Sequence, residues 1–161
     1  MRVLSYYGLS FAIFAVDRLT KSVIESRVGV FDTHTVIPGF FDIVHARNPG
    51  AAFSMFADST SAWRPFILIG LSLAALSLVA VIMRNAARLD RPTAFGLSLI
   101  LGGALGNVFD RIMTGAVTDF LDFYIGDLHW PAFNVADSAI VVGSCLLLIS
   151  MLRPKQQTAG A

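Results

Sequence analysis

The side chains in this sequence able to do chemistry are carboxylates and amides at the edges of long apolar runs. Asn107, Asp110 and Arg111 end one run, Asp119 follows shortly after, and Asn134 and Asp137 open the next. Asp17 and Lys21 sit late in the first run, four residues apart with the acid first, the favourable order for an ion pair on a helix. Two carboxylates sharing a buried site can divide one proton between them. The ionised one then activates water while the protonated one hydrogen-bonds a carbonyl oxygen. Asp119 and Asp137 are the expected pair, with Asn107 and Asn134 placed to orient them or a bound peptide. Asp137, nearer a helix N-terminus, is better placed to hold the negative charge.

Each of these residues also has a purely structural role open to it. Asp17 and Lys21 can form an ion pair that only stabilises a helix, and Asp110 with Arg111 an interfacial pair whose arginine reaches headgroups. Asn134 suits a helix N-cap, with Asp137 at the positive end of that helix. Asp119, within VTDFLDFYIGD, reads on its own as a loop carboxylate, and Asp122 and Asp127 in the same loop keep that reading. Depth favours a site. At about 1.5 Å of rise per helical residue, the polar residues of three apolar runs and the segment after one of them fall at a single level.

Those runs dominate the chain. Of 161 residues 55% are hydrophobic and only 14% charged, against about a quarter in ordinary soluble domains. Mean hydropathy is +0.69. Such a composition excludes a disordered chain, and 12 basic against 11 acidic residues suggest no nucleic-acid partner. Cys145 is the only cysteine, so no disulfide scaffold exists. A spanning helix needs about 20 apolar residues, and four runs suffice: residues 3–23, 66–83, 94–113 and 135–152. The first lacks the small-residue cleavage site of a removable signal peptide.

Arg2, Arg84, Arg88, Arg91, Arg153 and Lys155 flank these runs on one side, accompanied by a single acid, Asp90. The positive-inside rule makes that side cytoplasmic, with both termini inside and the polar level near the outer surface. Trp63 and Trp130 fall close to that outer boundary. Between the first two runs, residues 35–44 around Pro38-Gly39 suggest a small hairpin, and residues 53–56 a short amphipathic turn on the bilayer surface. A short polar tail, 154–161, ends what reads as one domain, 1–161.

Other features read as packing. Gly102 and Gly106 have the spacing that lets helices approach closely. Cys145, mid-run with no histidine nearby, reads as a packing residue. His34, His45 and His129 lack metal-ligand spacing, so no metal is expected. G-x-S-x-G and H-E-x-x-H are both missing, leaving serine and zinc hydrolases unsupported.

Five segments carry a resemblance: DRLTK (17–21), NPGAAFS (48–54), GNVFDR (106–111), VTDF (117–120) and FNVAD (133–137). In this order they resemble the bacterial lipoprotein signal peptidases, signal peptidase II, over nearly the whole chain. The resemblance implies an intramembrane aspartic endopeptidase of the bacterial cytoplasmic membrane, its site toward the extracytoplasmic side. Its substrates would be diacylated prolipoproteins, cut just before the lipidated cysteine. Asp119 and Asp137 match the catalytic pair. Asp17, Lys21, Asn48, Gly50, Asn107, Asp110, Arg111, Asn134 and Ala136 match the supporting shell. The fold expected is an all-α integral membrane protein of four transmembrane helices, with a small outer β-sheet and a short surface helix. Neither metal nor organic cofactor is implied, the partners are substrate and membrane lipids, and a monomer is expected. The alternative is a small proton-coupled transporter using the same carboxylates as a relay. It requires polar residues through the bilayer depth, whereas the inner halves of all four runs hold no Asp, Glu, Lys, Arg or His.

Overall fold

The computed structural model describes residues 2–50 and 63–152. Four helices carry it: α1 (Arg2–Arg27), α2 (Arg64–Met83), α3 (Arg91–Thr114) and α4 (Val135–Leu152). Strands β1 (Thr33–Ile37) and β2 (Phe41–Asn48) follow α1, while β3 (Val117–Ile125) and β4 (Leu128–His129) lie between α3 and α4. The segments 66–83, 91–114 and 135–152 are long and apolar enough to cross a membrane. Large apolar side chains such as Phe11, Phe66, Leu71 and Leu148 point outward. In water such surfaces would drive association.

Helix α3 packs against all three other helices. Its start is fixed by Asp90, whose side chain accepts from the Thr93 N–H at 3.1 Å, and by Pro92 in the first turn. Its end is fixed by Gly115, left-handed at φ 75°, whose N–H donates to the Arg111 carbonyl at 3.2 Å. Small residues let the partners come close. A Cβ on Gly143 would lie 2.5 Å from the Gly96 carbonyl oxygen, and one on Gly96 would lie 2.8 Å from that of Gly143. Gly102 lies against Ser10 and Ile13 of α1, and Gly103 against the Ala136 backbone of α4. The spacing of Gly102 and Gly106 thus serves close approach, as expected.

The strands form one antiparallel sheet, β1-β2-β3-β4. The hairpin expected at 35–44 is present and longer, turning at Gly39 with φ 77°. Opposite it lies the main departure from expectation: Asp119 is on a strand, paired with Ala46, not in a loop. Alternation in VTDFLDFYI is masked because Asp119 and Asp122 interrupt an otherwise β-favouring sequence. Arg47 ties β2 to α3 by donating to the Thr114 carbonyl at 3.0 Å, a cation at a helix C-terminus. Cys145 corrects another expectation. It is exposed on the outer side of α4 and so fills no interior space. The surface turn expected at 53–56 and the tail 154–161 lie outside the described residues.

Gly143→Ala should lower the thermal midpoint in detergent, at a cost of about 1–3 kcal/mol from overpacking. A Cβ on Gly70 meets nothing within 4 Å among the described residues. Gly70→Ala should therefore hold or raise the midpoint, by up to about 1 kcal/mol of helix propensity. Circular dichroism melts of both variants check this contrast.

Candidate active site

Lys21 is fully buried, so its charge must be met by partners inside the protein. Its Nζ lies 2.9 Å from Asp17 Oδ2, one turn back on α1, and 2.7 Å from Asp110 Oδ2 on α3. It also donates to Asn107 Oδ1 at 3.1 Å. Two carboxylates around one ammonium leave a negative excess, and Arg18 removes it by donating to Asp110 Oδ1 while lying over the Phe109 ring. Asp17 uses its other oxygen to accept the Ala136 N–H at 3.0 Å, tying α1 to the first turn of α4. Gly106 leaves room for the Asp17 carboxylate, and Ala136, with no exposure, packs its methyl beside the same glycine.

Asn107 carries this order outward. With its oxygen held by Lys21, its Nδ2 donates to Asp137 Oδ1 at 2.7 Å. Asn134 does the same for the second acid, donating to Asp119 Oδ1 at 2.7 Å. The two amides meet at 3.4 Å, so a continuous bridge runs Asp119–Asn134–Asn107–Asp137. Asn134 also caps α4, its Oδ1 accepting the Asp137 N–H at 2.9 Å. Asn48, at the end of β2, donates to Asp119 Oδ2 at 3.1 Å and accepts the Gly50 N–H at 2.9 Å. Arg111 reaches the Asn107 and Gly50 carbonyls at 3.2 and 3.3 Å.

Asp119 is 3% exposed. Burial, and then the neighbouring Asp137 carboxylate, push its pKa up to about 7, against its hydrogen bonds from Asn48 and Asn134 and the charge of Lys21. Arg111 on α3 is also close enough to act on both acids. The arrangement therefore offers two adjacent carboxyl groups, one of which holds a proton near neutral pH. Such a pair can take a proton from water and hand one to a carbonyl oxygen. Among the described residues no group of three or more His, Cys, Asp or Glu side chains is disposed to hold a metal ion.

All eleven residues singled out in the sequence gather here, with one regrouping. Asp110 and Arg111 do not pair with each other. Successive helical residues point in different directions, so Asp110 turns to Lys21 and Arg18 while Arg111 turns to Gly50. Asn134 serves both readings, as cap and as partner of Asp119. Asp122 keeps its modest role, beside His129 at 2.9 Å. Three further contributors, Arg18, Glu25 and Thr118, have no role assigned by spacing, although Arg18 and Thr118 lie within DRLTK and VTDF. Glu25 gave a faint signal, lying four residues past Lys21 and seven past Arg18 on one helix face.

Fold and site together describe a helical membrane-type protein with a buried acid–base centre. A protein-family model described as signal peptidase (SPase) II matches residues 9–153, and the chain belongs to that family. The lipoprotein signal peptidase of Solibacter usitatus is 63% identical over 153 residues, covering 95% of this chain and 93% of that protein. That of Geobacter sulfurreducens is 44% identical over 144 residues, 89% of each. A bacterial membrane enzyme determined by the in meso method at 2.3 Å matches with a TM-score of 0.82 and 27% identity, over 98% of this chain and 93% of its own. A second, at 1.9 Å, gives 0.81 and 28%, over 92% and 93%.

Lys21→Met should cost about 3–5 kcal/mol, because it leaves buried Asp17 without a cation and Asp110 with Arg18 alone. Asp17→Asn should cost less, since Lys21 keeps Asp110 and the Ala136 N–H keeps an acceptor. Folded yield and thermal midpoint in detergent read the difference. Equal losses would contradict the central place given to Lys21.

Proposed function

We propose that this protein is an intramembrane aspartic endopeptidase that removes the signal peptide of diacylglyceryl-modified prolipoproteins, cutting just before the lipidated cysteine. The observation that carries this reading is the amide bridge from Asp119 to Asp137, joined at Asn107 to the buried Lys21 cluster. In the reaction Asp137, ionised, takes a proton from water, and the hydroxyl oxygen bonds to the scissile carbonyl carbon. Asp119, holding its proton, donates it to the carbonyl oxygen as charge builds there. Collapse of the tetrahedral intermediate breaks the C–N bond. Asp137 then returns its proton to the leaving nitrogen, and Asp119 recovers its own from the intermediate. Asn48, Asn107 and Asn134 hold both carboxyl groups, and Arg111 with Gly50 braces the β2 end.

The reading includes four membrane spans, with α1 as the first, both termini cytoplasmic and the site toward the extracytoplasmic side of the bacterial inner membrane. Several features support it. At about 1.5 Å per residue, the 26 residues of α1 exceed the roughly 30 Å hydrocarbon core. Its charges Asp17 and Lys21 are paired internally. The basic residues Arg84, Arg88 and Arg91 cluster at the end opposite the sheet. The partners are diacylated prolipoproteins, whose acyl chains dock among the spans at about 0.8 kcal/mol per buried methylene. The reading takes the protein as a monomer. The transporter alternative finds no support. Among the described residues, the buried ionisable groups Asp17, Lys21, Asp42, His45, Asp110 and Asp119 all sit in the sheet or at the sheet end of the helices.

Asp119→Asn and Asp137→Asn should each abolish cleavage of a purified diacylated prolipoprotein in detergent while leaving the enzyme folded. The double variant should be little worse than either, because the pair acts as a unit. With Asp119 at about 7, its essential proton is present below that pH and lost above it. The rate should therefore fall on the alkaline side by on the order of tenfold per pH unit. Substantial turnover by either variant, or a rate rising steadily from pH 7 to 9, would overturn the mechanism.

A further inference from the structure

The dyad is held from one side by amides, but the strand that carries Asp119 has a second anchor. Thr118, the residue before Asp119, is 4% exposed and donates its hydroxyl to Glu25 Oε1 of α1 at 2.7 Å. Its carbonyl oxygen accepts from Asn134 Nδ2 at 3.4 Å. The residue leading into Asp119 is therefore tied on both sides. A threonine on a strand commonly bonds a neighbour, whereas this one crosses 93 positions to a helix. Glu25 is in turn faced by Arg18, Nη2 to Oε2 3.9 Å, and Arg18 is the cation that neutralises Asp110.

These contacts close a circuit. From Asp137 the path runs through Asn107 and Lys21 to Asp110, then through Arg18, Glu25 and Thr118 to the backbone of Asp119. We propose that Arg18, Glu25 and Thr118 form a positioning arm that sets where Asp119 stands relative to Asp137. None of the three touches the reacting atoms, so they act through Asp119. The Arg18–Glu25 contact, partly exposed and long, contributes little stability alone. The short hydroxyl bond, buried on its Thr118 side, is what restrains the strand. A carboxyl group displaced by about 1 Å from its working geometry costs on the order of a hundredfold in rate, so slackening this tether acts on turnover before it acts on binding.

This inference rests on the peptidase reading, and its test separates the two. The full-length enzyme in detergent cleaves a purified diacylated prolipoprotein, and four variants are compared. Thr118→Val keeps shape and strand preference but loses the donor, Glu25→Ala loses the acceptor, and Glu25→Gln keeps an acceptor oxygen. The fourth combines Thr118→Val with Glu25→Ala. The arm predicts kcat lower by roughly tenfold in Thr118→Val and Glu25→Ala, with KM within about twofold. The combined variant should be no worse than either, and Glu25→Gln should recover most of the rate. Loosening the strand admits water to Asp119 and lowers its proton affinity. The alkaline limb of the rate profile should therefore move to lower pH in Thr118→Val and stay in place in Glu25→Gln. Unchanged kcat and pH limb in Thr118→Val and Glu25→Ala, or additive losses in the combined variant, would overturn the arm and leave the peptidase standing. Absence of cleavage by the unaltered enzyme would overturn the peptidase reading and the arm with it.

Discussion

An ammonium group with no access to water imposes conditions on everything packed around it. Lys21 can remain charged in the interior only if carboxylates and amide oxygens stand at hydrogen-bond distance. The protein meets that demand with Asp17 from the same helix, and with Asp110 and the Asn107 oxygen from α3. Those partners fix the rotation and height of α1 against α3. Gly106 follows from the same demand, because a side chain there would occupy the place of the Asp17 carboxylate. Ala136 follows too: its N–H completes Asp17, and its backbone lies against Gly103. One buried charge thereby registers three helices.

The same cluster orients the chemistry. An asparagine amide can turn either way, but Lys21 holds the Asn107 oxygen and so directs its nitrogen at Asp137. Asn134 is oriented from the other direction, its oxygen committed to capping α4 and its nitrogen to Asp119. The two acids are thus joined through the amides from unlike elements, Asp137 from the first turn of a helix and Asp119 from a sheet strand. A helix N-terminus favours negative charge, while burial pushes the Asp119 pKa up to about 7. In the proposed mechanism, these unlike surroundings suit Asp137 to the role of base and Asp119 to that of acid.

Much of this was legible in the residues themselves. The apolar runs gave the four helices to within a few residues, since length and hydropathy decide them directly. The Asp17–Lys21 pair follows from helical spacing, and the common level of Asn107, Asp110, Asn134 and Asp137 from rise per residue. The partner of Asp110 was not legible, because Lys21 and Arg18 reach it across a helix interface that periodicity does not encode. Strand β3 was hidden by its own acids, which lower β-propensity at the position the site requires. Cys145 was misread because, in a chain this apolar, an outward-facing position on a helix resembles an inward one. Thr118 and Glu25 are 93 positions apart, and no local pattern links them.

In the proposed mechanism Asp119 holds the single proton of the pair near neutral pH. Infrared difference spectra of the detergent-solubilised enzyme, taken across pH 5 to 9, observe that proton through the carboxyl C=O stretch. A protonated carboxyl band should disappear with a midpoint near 7 and be missing from Asp119→Asn. A band with that midpoint persisting in Asp119→Asn, or no carboxyl group titrating in this range in the unaltered enzyme, would contradict it.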